Sequence, residues 1–173
     1  IYTFRPCDVV ETAEAWEIAL ESEKTPSILA LSRQSVPTLR TDSSENLSKR
    51  GGYIISKAER EPQATIIATG TEVSLAMEAQ KQLHESGIAV NVVSMPCCEL
   101  FDLQPQEYKH SVLGNAPKVA VEAAAVYGWE RYTGKSENVI GLNSFGASGK
   151  GDEVYKHFGI TAENVVKKVR ELI

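Results

Sequence analysis

No apolar run in the sequence approaches the ~20 residues a helix needs to cross a bilayer, and no secretory signal opens it. Cysteine is scarce, with three residues in all: Cys7, Cys97 and Cys98. Adjacent cysteines are poorly placed to bridge each other, and no CxxC spacing occurs, so a reduced, cytoplasmic setting is expected. Basic runs are also missing. The net charge is −5 and the isoelectric point about 5.3, which argues against a nucleic-acid partner, since that needs a basic face. The densest basic group, Lys167, Lys168 and Arg170, falls in the last helical segment, where it complements a helix dipole. His84, His110 and His157 are scattered, with none at i, i+4 from another or beside a cysteine pair, so no metal site is expected. Neither a serine-hydrolase elbow nor a GxGxxG fingerprint is present. The run Ser144–Gly151 contains Gly149-Lys150 but fails as a phosphate loop, with Ser at 144 in place of Gly and Gly at 151 in place of Ser or Thr. It reads as a turn before a helix opening at Asp152. The adjacent carboxylates of Asp152 and Glu153 read as first-turn charges.

What remains is the mixture of a globular domain, 42% hydrophobic and 24% charged. Asp8 reads as a helix N-cap with Glu11 as its box partner. Val9, Ala13, Trp16 and Leu20 follow at helical spacing, which predicts that they form the buried face. Ser27–Leu31 reads as a short buried strand. Residues Arg40–Arg50 carry no apolar period and read as a linker. After Gly51-Gly52 strands and helices alternate. Strands are predicted at Tyr53–Ile55, Ala64–Thr69, Ile88–Val93, Lys118–Glu122 and Val139–Leu142. A helix is predicted at Glu72–Ser86 with Leu75, Ala76, Ala79 and Leu83 inward, and short ones at Val126–Thr133 and Asp152–Phe158. The last opens at Thr161 and turns Val165, Val166, Val169 and Leu172 inward. This alternation predicts an α/β fold, a three-layer α/β/α arrangement around a mostly parallel sheet.

Ligands of such sheets bind past the C-terminal strand ends. Arg33 falls just past one of these ends. A guanidinium there can clamp a phosphate or carboxylate through two parallel hydrogen bonds, or it can make an ordinary structural salt bridge; the residues alone leave both open. Thr69-Gly70-Thr71-Glu72 joins a strand to a helix. Glu72 reads as a first-turn carboxylate with Thr69 as its capping partner, and it would repel an anion at that turn.

Several stretches carry a resemblance. Phe4-Arg5-Pro6-Cys7-Asp8 resembles the Trp-Arg-Pro-Ala/Cys-Asp segment of the transketolase family, with Phe in place of the frequent Trp. Ala30-Leu31-Ser32-Arg33-Gln34, followed by Val36-Pro37, resembles the family's Leu-Ser-Arg-Gln motif. Further family blocks match in order at Gly51–Tyr53, Ile67–Val73, Val92–Pro96, Val119–Ala123 and Phe145–Ser148.

The resemblance implies the C-terminal region of an enzyme that moves a two-carbon ketol unit between sugar phosphates. The family uses thiamine diphosphate and Mg2+ (or Ca2+) and works as a homodimer. It implies that residues 1–48 are the tail of the pyrimidine-binding middle domain and a linker, and that residues 49–173 are the C-terminal domain. It also implies that Arg33 contacts the sugar phosphate. The family's cofactor, metal and catalytic residues lie upstream, so none is expected in this chain, and the chain alone is expected to be inactive. The start at Ile1 is read in the same sense. A sibling such as dihydroxyacetone synthase, or a non-catalytic dimerisation or regulatory module, are the alternatives.

Overall fold

The computed structural model describes all 173 residues. The chain opens with a three-residue strand, β1 (Tyr2–Phe4), then α1 (Val9–Glu21) and β2 (Ser27–Leu29), which pairs parallel to β1. Asp8 caps α1 as its sequence predicts, its Oδ1 accepting from the Glu11 N–H at 3.0 Å. Glu11 answers one residue further back, accepting from the Cys7 N–H at 2.7 Å.

The predicted inner face of α1 is overturned. Val9, Trp16 and Leu20 are 65%, 52% and 79% exposed, and Ala13 is exposed too, while Glu11, Glu14, Ala15 and Ile18 are buried. Two carboxylates go inside because each gathers several donors there. Glu14 accepts from the Leu47 N–H, from the N–H and hydroxyl of Ser48, and from Arg40. A buried charge is tolerated when it is paired and hydrogen-bonded to this extent. The same contacts fasten segment 40–50, which carries no apolar period, folds against α1 and ends in a 3-10 turn at Leu47–Arg50. Ile28 and Leu31 join the outward apolar set, exposed beside the two-stranded sheet.

A second sheet follows. Its strands are β3 (Tyr53–Ser56), β4 (Ala64–Ala68), β5 (Val90–Ser94), β6 (Lys118–Ala125) and β7 (Val139–Leu142), in the order β3-β5-β4-β6-β7. All neighbours run parallel except β3, which pairs antiparallel to β5 at the edge. The central strand β4 is buried along its whole length, as a strand covered on both faces must be. One face carries α2 (Glu72–Glu85) and α7 (Ala162–Leu172), which pack Val73, Ala76, Ala79 and Leu83 with Val165, Val166 and Val169 onto Ile66, Val92 and Val121. The other face carries α3 (Cys98–Asp102), α4 (Gln106–Leu113) and α5 (Glu130–Thr133), whose Phe101, Val112 and Tyr132 cover Ile67, Val93 and Ala120. Helix α6 (Gly151–His157) precedes α7. The result is the three-layer α/β/α arrangement with a mostly parallel sheet that the alternation predicts.

The predicted capping box at α2 does not form. Thr71 holds the N-cap position in a helical conformation without a side-chain cap, and the helix opens through backbone bonds to Gly70 and Thr71. The Thr69 hydroxyl bonds the Arg5 carbonyl instead, and Glu72 turns inward.

Candidate functional site

Arg33 lies four residues beyond the last residue of β2, in an exposed turn held by a 2.8 Å bond from the Ser32 hydroxyl to the Gln34 carbonyl. The strand end beneath it is fixed by the Ala30 N–H, which donates to the Phe4 carbonyl at 2.8 Å. The Arg33 guanidinium makes no hydrogen bond and no ion pair. Every other arginine is engaged: Arg5 with Glu72 and Glu122, Arg40 with Glu14, Arg50 with Glu45, Arg60 with the Gly87 carbonyl, Arg131 with Asp102 and Arg170 with the Ser86 hydroxyl. The structural salt bridge that the sequence leaves open for Arg33 therefore has no partner within this chain. An exposed, unpaired guanidinium past a strand end remains available to an anion with two oxygens to offer.

The turn of Arg33 does not stand alone. The Gln34 carboxamide lies against Gly151 at the start of α6; a β-carbon there would come within 3.0 Å of Nε2. The glycine-rich run 144–151 is thus brought beside the Ser32–Gln34 turn, as the sequence does not foresee. Phe145 in that run is fully exposed, and Lys150 faces Glu153 at 3.7 Å.

Other candidate chemistry is not assembled. His84, His110 and His157 are all exposed and lie near helix C-terminal ends. No three His, Cys, Asp or Glu side chains come together as a metal ion would require. The cysteines are free. Burial pushes the Cys97 thiol up to about 12 and raises Cys7 and Cys98 as well, so none supplies a thiolate nucleophile at neutral pH.

A second polar cluster escapes sequence reasoning. Arg5 ion-pairs with Glu72 and Glu122, which come from the first turn of α2 and from β6. A charged residue inside an apolar strand, Val121-Glu122-Ala123, is the signal that marks it.

Residues 51–161 match the family described as "Transketolase-like TK C-terminal domain". The transketolase of Sinorhizobium medicae is 49% identical over 172 residues, covering 98% of this chain and 25% of that protein. A Pichia stipitis transketolase, solved in complex with xylulose 5-phosphate, superposes with a TM-score of 0.90 at 41% identity, covering 99% of this chain and 25% of that one. The Leishmania mexicana transketolase superposes at 0.88 with 43% identity and the same coverage. The chain thus spans about a quarter of the length of the curated relatives it matches. With its sheet order, its two helical layers and these likenesses in agreement, the chain belongs to the transketolase family and corresponds to its C-terminal part.

Proposed function

We propose that this chain is the C-terminal part of an enzyme that transfers a two-carbon ketol unit between sugar phosphates, and that Arg33 grips the substrate phosphate. The observation that carries the reading is the unpaired Arg33 guanidinium beyond β2, in a family whose Pichia stipitis member is described in complex with a sugar phosphate. A phosphate monoester is a dianion at neutral pH, and a guanidinium meets two of its oxygens at once.

No three His, Cys, Asp or Glu side chains of this chain gather into the donor set a divalent ion needs. We assign the thiamine diphosphate and divalent-metal site to the remainder of the protein. In this division of labour residues 1–48 complete the middle domain and residues 49–173 form the C-terminal one. The exposed apolar side chains of α1 (Val9, Trp16 and Leu20), of β2 (Ile28) and of Leu31 just beyond it support it, because such a set needs a cover. The whole enzyme is a homodimer in this reading, and its setting is cytoplasmic; no helix is long and apolar enough to cross a membrane.

Two measurements test the proposal. In the whole enzyme, Arg33→Ala is expected to raise KM for sugar phosphates about tenfold or more, since a charge-assisted hydrogen bond is worth ~1.5–3 kcal/mol. Turnover of an unphosphorylated ketose should be little changed. An unaltered KM for the phosphates removes Arg33 from the site. Calorimetric titration of the 173-residue chain with thiamine diphosphate and Mg2+ is expected to give no heat of binding; micromolar affinity would place the cofactor site in this chain and overturn the division of labour.

A further inference from the structure

The order of the second sheet reverses between β4 and β6, the place where doubly wound folds open a ligand crevice beyond the strand ends. The two strands are in register there, Ala68 opposite Val121. Just beyond lie Thr69, Gly70 and Glu72 on one side and Glu122 on the other. The crevice is filled by Arg5, a residue from outside this sheet.

Arg5 is held at its backbone and at its side chain. Its N–H donates to the Pro96 carbonyl at 2.8 Å, and its carbonyl accepts from the Gly70 N–H at 2.9 Å and the Thr69 hydroxyl at 3.3 Å. The residue is thereby strung across the ends of β5 and β4. Its guanidinium donates through Nη1 to Glu122 and stands 3.5 Å from Glu72 Oε2 through Nη2. Both carboxylates are buried, and Glu72 is only 1% exposed. Glu72 Oε1 accepts from the Thr71 hydroxyl at 2.6 Å and from the Tyr155 hydroxyl, whereas Oε2 has no hydrogen bond and is directed at the Arg5 guanidinium.

Two buried carboxylates this close cannot stay charged without a cation between them. Burial pushes the Glu122 carboxyl up, and the bond from Arg5 pulls against it. A guanidinium answers both acids from one plane, whereas an ammonium is a point charge without that fork. We propose that Glu72 and Glu122 form a guanidinium-selective cation site at the switch point of the sheet, occupied in cis by Arg5. The crevice is then a fastening between the N-terminal segment and the sheet, and it is closed to anionic effectors. Because the Phe4 carbonyl, adjacent to Arg5, accepts from Ala30, the same fastening steadies the strand end that leads to Arg33. The proposal stands on Arg5, Glu72 and Glu122 and does not need Arg33 to bind phosphate.

Guanidinium rescue tests it. Arg5→Ala is expected to lower the Tm by about 6 °C, since removing one partner strands buried charge. Guanidinium chloride at millimolar, sub-denaturing levels should then recover roughly a third or more of that loss by binding only the folded state. Equal concentrations of ammonium or sodium chloride should not, and the unsubstituted protein should gain nothing. Adding Glu72→Gln and Glu122→Gln to Arg5→Ala should abolish the recovery. No recovery by guanidinium, or the same recovery with ammonium, overturns the site. If Arg5→Ala does not fold, isotope-edited NMR of the arginine side chains in the unsubstituted protein decides. A slowly rotating Arg5 guanidinium with separate Nη signals is expected, and a freely rotating, averaged one overturns the proposal.

Discussion

Gly51→Ala should unfold the chain about 6–15 °C earlier than the unsubstituted protein, through a loss of ~3–5 kcal/mol. Gly51 sits at φ +78°, in the left-handed region, where its N–H closes the 3-10 turn on the Ser48 carbonyl at 2.9 Å. A side chain there would also have no room. A β-carbon would fall 2.1 Å from the Phe101 nitrogen, within α3, and 2.4 Å from the oxygen of Cys97, its N-cap residue, both of them backbone atoms. Neither can swing aside as a flexible side chain could, so α3 or the turn must move. Gly87→Ala is the matched control: Gly87 has φ +77° but nothing within 4 Å of the added carbon. It should cost only the conformational part, about 1–2 kcal/mol. Thermal or urea unfolding of the two variants side by side separates the terms. Equal losses would mean that the contact of Gly51 with α3 contributes nothing.

The second sheet is legible in the sequence because its strands are short apolar runs bounded by turns, and because α2 and α7 repeat apolar residues at helical spacing. The buried Ala76, Ala79 and Leu83 of α2 and the Val165, Val166 and Val169 of α7 fall where the period places them. β1 is not legible. Three residues become a strand only by pairing with β2, 25 positions away at Tyr2 and Ser27. α3 and α4 are missed because they bury little, chiefly Phe101 and Val112. α1 is legible as a helix but not in its orientation. A hydrophobic pattern counts glutamate as outward-facing, and here Glu11 and Glu14 point in, toward donors supplied by distant segments. The candidate sites divide in the same way. Arg33 can be placed past a strand end from local pattern alone, whereas the pairing of Arg5 with Glu122 spans 117 positions and follows only from the order of the sheet.

Glu11 shows what an inward carboxylate does. It is completely buried in α1 and takes three donors: the Cys7 N–H at 2.7 Å, the Tyr53 hydroxyl at 2.8 Å and the Ser94 hydroxyl at 2.6 Å. Tyr53 and Ser94 are directly opposed on β3 and β5, so one carboxylate oxygen ties α1 to the edge of the second sheet. Glu11→Ala strands three buried donors and opens a void, and is expected to cost ~3–5 kcal/mol. Glu11→Gln keeps an oxygen for the two hydroxyls but sets an amide N–H against the Cys7 N–H, at about 1–3 kcal/mol. The pH dependence separates charge from shape. Burial raises the Glu11 carboxyl above its ordinary range, against the opposing pull of Ser94, Cys7 and Tyr53. In the unfolded chain it ionises near ~4.3. Between that value and its raised native one, the unfolded state has lost the proton and the native state keeps it. Stability from this group is therefore full below the lower value and declines as pH rises through the window. Glu122 is raised too and adds a slope of the same sign. Urea unfolding across a pH series should show a shallower decline for Glu11→Gln than for the unsubstituted chain, with the slope from Glu122 remaining. An identical decline in both would mean that Glu11 is already ionised in the native state, and that its three donors outweigh its burial.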